Sequence, residues 1–209
     1  MTLTPDAFLA QLEKKPPAPA YLFIGPEQYG RDVCRRALAE RVVASGDFEN
    51  GLTRHDLEEQ SLAEVTDDAR AFSLFAPERV IWVSRAEGAL PRGRAAAKDD
   101  DEDSPKTAGG EGELASYLAS PTPGVSVVFD AAKYEFDGED KAKSERVRKF
   151  YAAVPVMVEF AKLGPAQVRA LATRRAKELK LTIGNTEMEM LLEATGQAAL
   201  STVTTHDHR

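Results

Sequence analysis

The sequence predicts an α/β fold in which helices cover a largely parallel sheet, followed by a small helical domain. Short apolar runs such as residues 21–24 and 125–129 recur between helical stretches. This alternation is typical of parallel strands joined by right-handed crossovers. From residue 163 onward the apolar residues follow a helical spacing only. We therefore expect an α/β domain over residues 1–162 and a helical domain over residues 163–209.

The composition is that of a globular protein without membrane segments. With 209 residues, of which 43% are hydrophobic, the chain is long enough to bury a core. No apolar run approaches the length of a membrane span and no signal-peptide pattern opens the chain, so a cytoplasmic location without membrane contacts is expected. The net charge of −7 argues against strong autonomous binding of nucleic acid, because phosphates repel an acidic protein. Cys34 is the single cysteine and is expected to be a buried packing thiol.

Local signals place the first helix and the strands. Thr4 and Pro5 form a typical N-cap and first-turn pair, and Phe8, Leu9 and Leu12 follow at helical spacing. Five apolar runs predict strands, at residues 21–24, 53–57, 80–83, 125–129 and 154–158. Helical or irregular segments separate these strands from one another.

The first of these strands leads into a loop with the glycine spacing of a phosphate-binding P-loop. Gly25 and Gly30 hold the glycine positions, and a helical pattern follows. A working P-loop needs a lysine after the second glycine and then a hydroxyl that ligates Mg²⁺, but Arg31 and Asp32 stand in these places. The pattern indicates a degenerate P-loop that is not expected to bind nucleotide. An ordinary corner between a strand and a helix is the alternative interpretation.

A second acidic position points to the same class of protein. Asp130 ends the strand at residues 125–129, where P-loop proteins carry the carboxylate that holds Mg²⁺. Ala131 follows it, at the place where AAA+ ATPases usually carry a glutamate that orients the attacking water. We interpret Asp130 as a degenerate Walker B acid. No catalytic residue, metal or cofactor is expected.

Residues 88–113 interrupt the alternation of strands and helices. They are rich in Gly, Ala, Pro and charged side chains, and they include an acidic run at residues 99–103. Since they hold too few apolar residues to bury themselves, we expect a mobile surface insertion. Binding of Ca²⁺ and mimicry of nucleic acid are alternatives, but the ligand spacing of a calcium loop is missing.

The C-terminal domain is expected to hold two helices and the start of a third. The first begins at Pro165, and the second covers residues 186–194. Basic side chains on the first could contact DNA, but without interleaved aromatic residues they favour a solvated face. The third helix barely begins after Gly196. The terminal His206 and His208 are interpreted as a frayed tail rather than a metal site.

Three short motifs together resemble the delta subunit of bacterial DNA polymerase III. They are YLFIGPE at residues 21–27, FSLF at residues 72–75 before RVIWV at residues 79–83, and a helix over residues 168–179 that leads into Lys180 and Leu181. Their order and spacing carry the resemblance over nearly the whole chain. It implies an AAA+-like domain that has lost ATPase activity, followed by a helical lid. The collar domain that follows in the family is expected to be absent here, and the lid to be truncated.

Within this resemblance, Leu74 and Phe75 match the pair that delta subunits insert into a hydrophobic pocket on the sliding clamp. Ser73 and Ala76 would position them. The local sequence also supports a role as binding anchors. Two large apolar side chains lie close before Pro77, where helix is disfavoured. The alternative is that the pair packs on the core beside the strand at residues 80–83.

The resemblance implies a non-catalytic clamp-loader subunit that binds and opens the sliding clamp, the polymerase III beta subunit. The chain would then be a component of a DNA-directed DNA polymerase, a nucleotidyltransferase complex. Other clamp-loader subunits are partners in the full-length family, and DNA is contacted indirectly through the complex. A P-loop NTPase or phosphotransferase with an unorthodox loop is the main alternative. A nucleotide-sensing module that binds without hydrolysis is the other.

Overall fold

A computed structural model describes residues 1–43, 48–73, 76–91 and 110–195, with only the backbone at residues 48, 49, 194 and 195. The strands are β1 Thr2–Leu3, β2 Ala20–Ile24, β3 Leu52–Asp56, β4 Arg79–Ser84, β5 Val125–Ala131 and β6 Val156–Glu159. The helices are α1 Pro5–Lys14, α2 Gln28–Val42, α3 Phe48–Gly51, α4 Leu62–Arg70, α5 Gly110–Ala119, α6 Lys141–Phe150, α7 Pro165–Glu178 and α8 Asn185–Thr195. All five predicted strands are present, with ends that differ by one or two residues.

The six strands form one sheet in the order β1-β6-β2-β5-β4-β3. Every pairing among the described strands is parallel, and Leu22 of β2 lies opposite both Phe129 of β5 and Met157 of β6. The predicted helix-covered parallel sheet is therefore confirmed. In a parallel sheet all carboxyl ends meet at one edge, so the loop after β2 and the end of β5 are neighbours.

Alternation along the strands divides the core between the two faces of the sheet. Leu22 and Phe129 belong to the cluster beneath α4, α5 and α6. Phe23 and Trp82 belong to the cluster beneath α1 and α2, where the rings of Phe8 and Phe23 meet edge-to-face at 5.5 Å. Both faces of the sheet are thus covered by helices, as all-parallel sheets require.

The helices follow their sequence signals. The Thr4 hydroxyl accepts a hydrogen bond from the Ala7 N–H and caps α1. In the C-terminal pair, Leu171 of α7 and Met188 of α8 are buried. Leu179, the last residue of the helix predicted over residues 168–179, lies just past the end of α7 and is 43% exposed. The boundary between domains at residue 162 stays a prediction.

The predicted acidic insertion is shorter than residues 88–113. Gly88 lies inside a 3₁₀ helix, Ala86–Ala89, and its Cα packs against the backbone of Leu57. At the other end, α5 already begins at Gly110. These two ends form helical structure because they pack on the core, although their Gly-rich composition favours an irregular loop. Residues 92–109, which hold the acidic run, lie outside the described residues, as do the predicted third helix after Gly196 and the terminal histidines.

Across the part of the chain that the structure describes, the helices are all too short or too polar to cross a membrane.

Candidate functional site

The first glycine of the loop after β2 is enclosed by the protein and has a positive φ. Gly25 has a φ of +112°, which side-chain-bearing residues rarely adopt. A Cβ atom on it would lie 2.7 Å from Phe136 Cζ and closer still to the carbonyl oxygen of Phe160. The Gly25 N–H donates to the Ala131 carbonyl at 3.0 Å, which ties the loop to the end of β5. Residues 25–31 are called the carboxyl-edge loop below.

The N-terminus of α2 binds a carboxylate of its own chain. Glu27 Oε1 accepts the N–H of Tyr29, and Oε2 accepts the N–H of Gly30, both at 2.8 Å. These N–H groups, at the positive end of the helix dipole, are the ones with which a P-loop binds phosphate. This role of Glu27 was not predicted from the sequence. Its signal was local, since an acidic residue directly before a helix start is a typical N-cap.

Arg31 and Asp130, two of the predicted site residues, pair with each other. The Arg31 side chain is almost buried, donates from Nη2 to the Gly25 carbonyl, and holds its Nε 3.4 Å from Asp130 Oδ1. Its guanidinium also lies 5.8 Å from the centroid of the Phe160 ring. Within the described residues, neither Nε nor Oδ1 has a hydrogen-bond partner. The arginine thus points inward to the acid rather than outward to solvent.

The Asp130 carboxyl is held in an environment that resists its ionisation. Burial raises its pKa to about 6, and the Arg31 guanidinium counteracts only part of this shift. Below about pH 6 the carboxyl is mostly protonated in the folded chain.

Asp32, the fourth predicted P-loop residue, faces a cavity rather than the loop interior. Its carboxylate lies 3.2 Å from Arg35 Nη2 and is partly exposed. The cavity has a volume of about 950 Å³ and lies between α1, the start of α2 and α7. Arg174 of α7 lines it and lies 3.4 Å from the Asp6 carboxylate.

The basic residues of α7 are largely engaged by acidic side chains of the same chain. Arg169 pairs with Glu189, and Arg175 pairs with Glu178 at 2.7 Å. These basic side chains therefore already have acidic partners within the chain. The arrangement favours the interpretation of a solvated surface over a DNA-binding face.

Ser73, the one predicted clamp-binding residue that the structure describes, lies in the segment that leads into the opposite edge of the sheet. Residues 72–78, called the connecting segment below, join the end of α4 to the start of β4. Ser73 Oγ accepts a hydrogen bond from the Ala76 N–H at 3.0 Å, and Phe72 is 78% exposed. Leu74 and Phe75 themselves lie outside the described residues, so their role as an exposed pair stays a prediction.

Cys34 takes no part in either region. It is buried in α2, and burial raises the pKa of its thiol to about 12, as expected of a packing residue. Among the described residues, no group of three or more His, Cys, Asp or Glu side chains could hold a metal ion.

No family model matches this sequence, and no curated protein does. Solved structures do resemble the fold. The DNA clamp loader delta protein of Bacillus subtilis superposes with a TM-score of 0.64 at 21% identity, over 94% of this chain and 54% of that protein. Two weaker likenesses are a DNA polymerase III gamma subunit-related protein of Thermotoga maritima (TM-score 0.49, 13% identity, 95% and 58% covered) and the ORC2 protein of Aeropyrum pernix (TM-score 0.45, 10% identity, 95% and 58% covered).

The likeness to the delta protein shows the fold. Over the matched residues this chain shares the fold of that protein, with the helix-covered parallel sheet that the sequence predicted. The chain spans about half the length of the delta protein, 54%. At 21% identity, activity and partners do not follow from the likeness.

Proposed function

We propose that this chain is a non-catalytic clamp-loader subunit that binds and opens the sliding clamp, the beta subunit of bacterial DNA polymerase III. It would act as a component of the DNA-directed DNA polymerase complex, with DNA contacted indirectly. Other loader subunits would be its further partners, and the complex would work in the cytoplasm. The likeness of the fold to a clamp loader delta protein supports this proposal.

The observation that carries it is the internal occupation of the phosphate position. Glu27 accepts both N–H groups at the start of α2, and Arg31 turns inward to Asp130. A nucleotide phosphate would have to displace one carboxylate while approaching a second, which is electrostatically unfavourable. The fold therefore supports a role in binding rather than hydrolysis. ATP would act in other subunits of the loader.

Leu74 and Phe75 are the proposed anchors, and Ser73 helps to shape the turn that carries them. Two large apolar side chains on a short connection, close before a proline, are the kind of residues that serve as binding anchors when exposed. Clamp opening would follow from differential affinity, because a ligand shifts an equilibrium only when it binds one state more tightly. The loader surface must therefore bind the opened clamp better than the closed one.

A binding measurement against the sliding clamp of the same organism tests the proposal. Replacing Leu74 and Phe75 together with alanine should weaken binding at least tenfold, since a truncated anchor commonly costs about 2 kcal/mol or more. The double variant Leu179→Ala/Leu181→Ala is the matched control, because both leucines are partly exposed far along the chain from the anchors. It should bind the clamp as the wild type does.

Thermal unfolding measured alongside separates anchors from core. Loss of two exposed side chains should leave the melting temperature almost unchanged, whereas loss of two core residues would cost roughly 5 kcal/mol or more. A wild-type chain that does not bind the clamp contradicts the proposed function. A double-alanine variant that melts far earlier contradicts the assignment of the anchors.

Calorimetric titration with Mg-ATP tests the alternative functions. The clamp-opening proposal expects no saturable site at micromolar nucleotide. A saturable site with turnover would favour a P-loop NTPase or phosphotransferase, and a site without turnover would favour a nucleotide-sensing module.

A further inference from the structure

We propose that Arg79 is a positioning residue that holds the two ends of the connecting segment where clamp binding requires them. This inference rests on the proposed function. Arg79 is the first residue of β4 and is only 7% exposed, although it carries a full charge. A buried guanidinium must be paired and hydrogen-bonded to be tolerated, so its partners define what it holds in place.

The Arg79 side chain joins the two ends of the connecting segment. Its Nη1 donates to Asp68 Oδ1 at 2.9 Å, and its Nη2 donates to the Ala71 carbonyl at 2.9 Å and to the Asp68 carbonyl. Asp68 lies in the last turn of α4, where its carbonyl also accepts the Ala71 N–H, and Ala71 is the C-cap of this helix. The backbone at Ala71, just before the connecting segment, is therefore held by Arg79, the residue just after it.

A second set of contacts holds Asp68 in place. His55 on β3 places Nε2 at 2.8 Å from Asp68 Oδ2 and Nδ1 at 2.9 Å from Gln60 Oε1. Burial raises the pKa of Asp68, but the hydrogen bonds from His55 and Arg79 outweigh it and hold the pKa below its usual range. The carboxylate is thus ionised at neutral pH and orients the Arg79 guanidinium.

The backbone beside Arg79 is fixed as well. Its N–H donates to the Gly124 carbonyl at 3.0 Å. Gly124 has a φ of +80°, and a Cβ atom on it would lie 3.3 Å from the carbonyl carbon of Pro77 and nearer still to its oxygen. Pro77 is therefore pressed against the turn before β5. Both ends of the segment are anchored, while Phe72 between them is exposed.

Fixed ends lower the conformational entropy that the segment loses on binding. A pre-shaped loop presents its anchors at a smaller cost than one that must be ordered in the complex. A purely structural arginine would stabilise the fold without changing affinity for the clamp. The two roles differ in whether Arg79 is energetically coupled to Leu74 and Phe75.

The test is a double-mutant cycle read by clamp binding, well below the melting temperature. Arg79→Lys keeps the charge but cannot bridge Asp68 and Ala71, and we expect it to weaken binding roughly five- to tenfold, the size of a lost charged hydrogen bond. In a Leu74→Ala background the same substitution should weaken binding at least threefold less, because the anchor it positions is already truncated. Arg148→Lys is the control, since Arg148 on α6 pairs with Glu159 away from the segment. It should leave binding unchanged.

Asp68→Asn provides a second variant that retains an oxygen acceptor for Arg79 in case Arg79→Lys does not fold. A loss of roughly threefold in clamp affinity is expected for it. A wild-type chain that binds the clamp, together with Arg79 and Asp68 variants that bind equally well but melt earlier, would overturn the positioning role and leave the proposed function intact. A wild-type chain that does not bind would overturn both.

Discussion

The candidate functional groups at the two edges of the sheet differ in how far they are bound by other groups of the protein. At the carboxyl edge, the groups that could receive a ligand are engaged by the protein itself, as Glu27 fills the start of α2 and Arg31 pairs with Asp130. At the amino edge, the Arg79 side chain binds the Ala71 carbonyl just before the connecting segment, whereas Phe72 within the segment is exposed. The described groups of the first region bind one another, and the second region leaves an aromatic ring in solvent.

The enclosed glycine at the carboxyl edge shows how a sequence motif can be required by the fold alone. Gly25 is required by its backbone conformation and by the approach of Phe136 and Phe160, whether or not a phosphate binds. The lysine and the hydroxyl of a working P-loop serve only the ligand and can be lost without harm to the fold. Glycine spacing alone is therefore evidence for a fold, and the chemistry must be read from the side chains.

The largest expected effect tests whether the carboxyl edge is closed as tightly as its contacts indicate. Gly25→Ala combines a positive φ with a collision against Phe160 and Phe136, and we expect a loss of about 3 kcal/mol or more in the free energy of unfolding. Denaturant unfolding measures it. Gly138→Ala is the matched control, because Gly138 also has a positive φ, +55°, but no described residue beyond its chain neighbours comes within 4 Å of its added Cβ.

The control should lose only the cost of the left-handed conformation, about 1 kcal/mol. If both substitutions cost the same, the loop is not enclosed and the contrast between the two edges fails.

Much of this architecture could be predicted from the sequence because its signals are local. The strand before Gly25 and the capped helix at Thr4 each occupy a continuous stretch with a clear pattern. β1 was missed because two residues, Thr2–Leu3, are too few to show a period, and it exists only through its pairing with β6. Its stability is tertiary rather than local.

The candidate site was predicted in part for the same reason. Arg31 and Asp130 were each identified from their places in a motif, yet their pairing depends on the parallel register of β2 and β5, which local sequence does not encode. The position of Arg79 against the end of α4 is likewise a result of the fold. Sequence patterns identify groups, and the three-dimensional structure decides which groups meet.

A second prediction concerns the proton on Asp130. Its pKa is raised from 3.8 to about 6 in the folded chain, so the folded state binds more protons than the unfolded state between these values. The free energy of unfolding should therefore fall as the pH rises through this window, by roughly 2 to 3 kcal/mol. Asp130→Asn removes the ionisation and should lack this loss.

Denaturant unfolding of both proteins at pH 4 and pH 7 measures the effect. The variant should gain stability relative to the wild type at the higher pH. An equal difference at both pH values would mean that Asp130 is already ionised at pH 4, and the buried pair would then be fully charged.

A third, smaller effect is expected from the carboxylate that caps α2. Glu27→Ala leaves the Tyr29 and Gly30 N–H groups without their side-chain partner and should cost about 1 kcal/mol, as for other N-caps. Glu27→Gln retains an oxygen acceptor but loses the charge, so it should cost about half as much. Chemical denaturation compares them. If Glu27→Ala also acquires micromolar affinity for Mg-ATP by calorimetry, this one side chain alone closes a nucleotide site.

The smallest expected effect tests the openness of the amino edge. Phe72→Ser removes a ring that is 78% exposed, so the free energy of unfolding should change by no more than about 0.5 kcal/mol. Phe23→Ala, in the aromatic cluster beneath α1, is the contrasting substitution and should cost about 3 to 5 kcal/mol. Both are measured by denaturant unfolding at one pH. A loss above 1 kcal/mol for Phe72→Ser would mean that the ring packs on the protein in solution. In that case the connecting segment would be closed like the carboxyl-edge loop, and an external binding role for its neighbours would lose its structural basis.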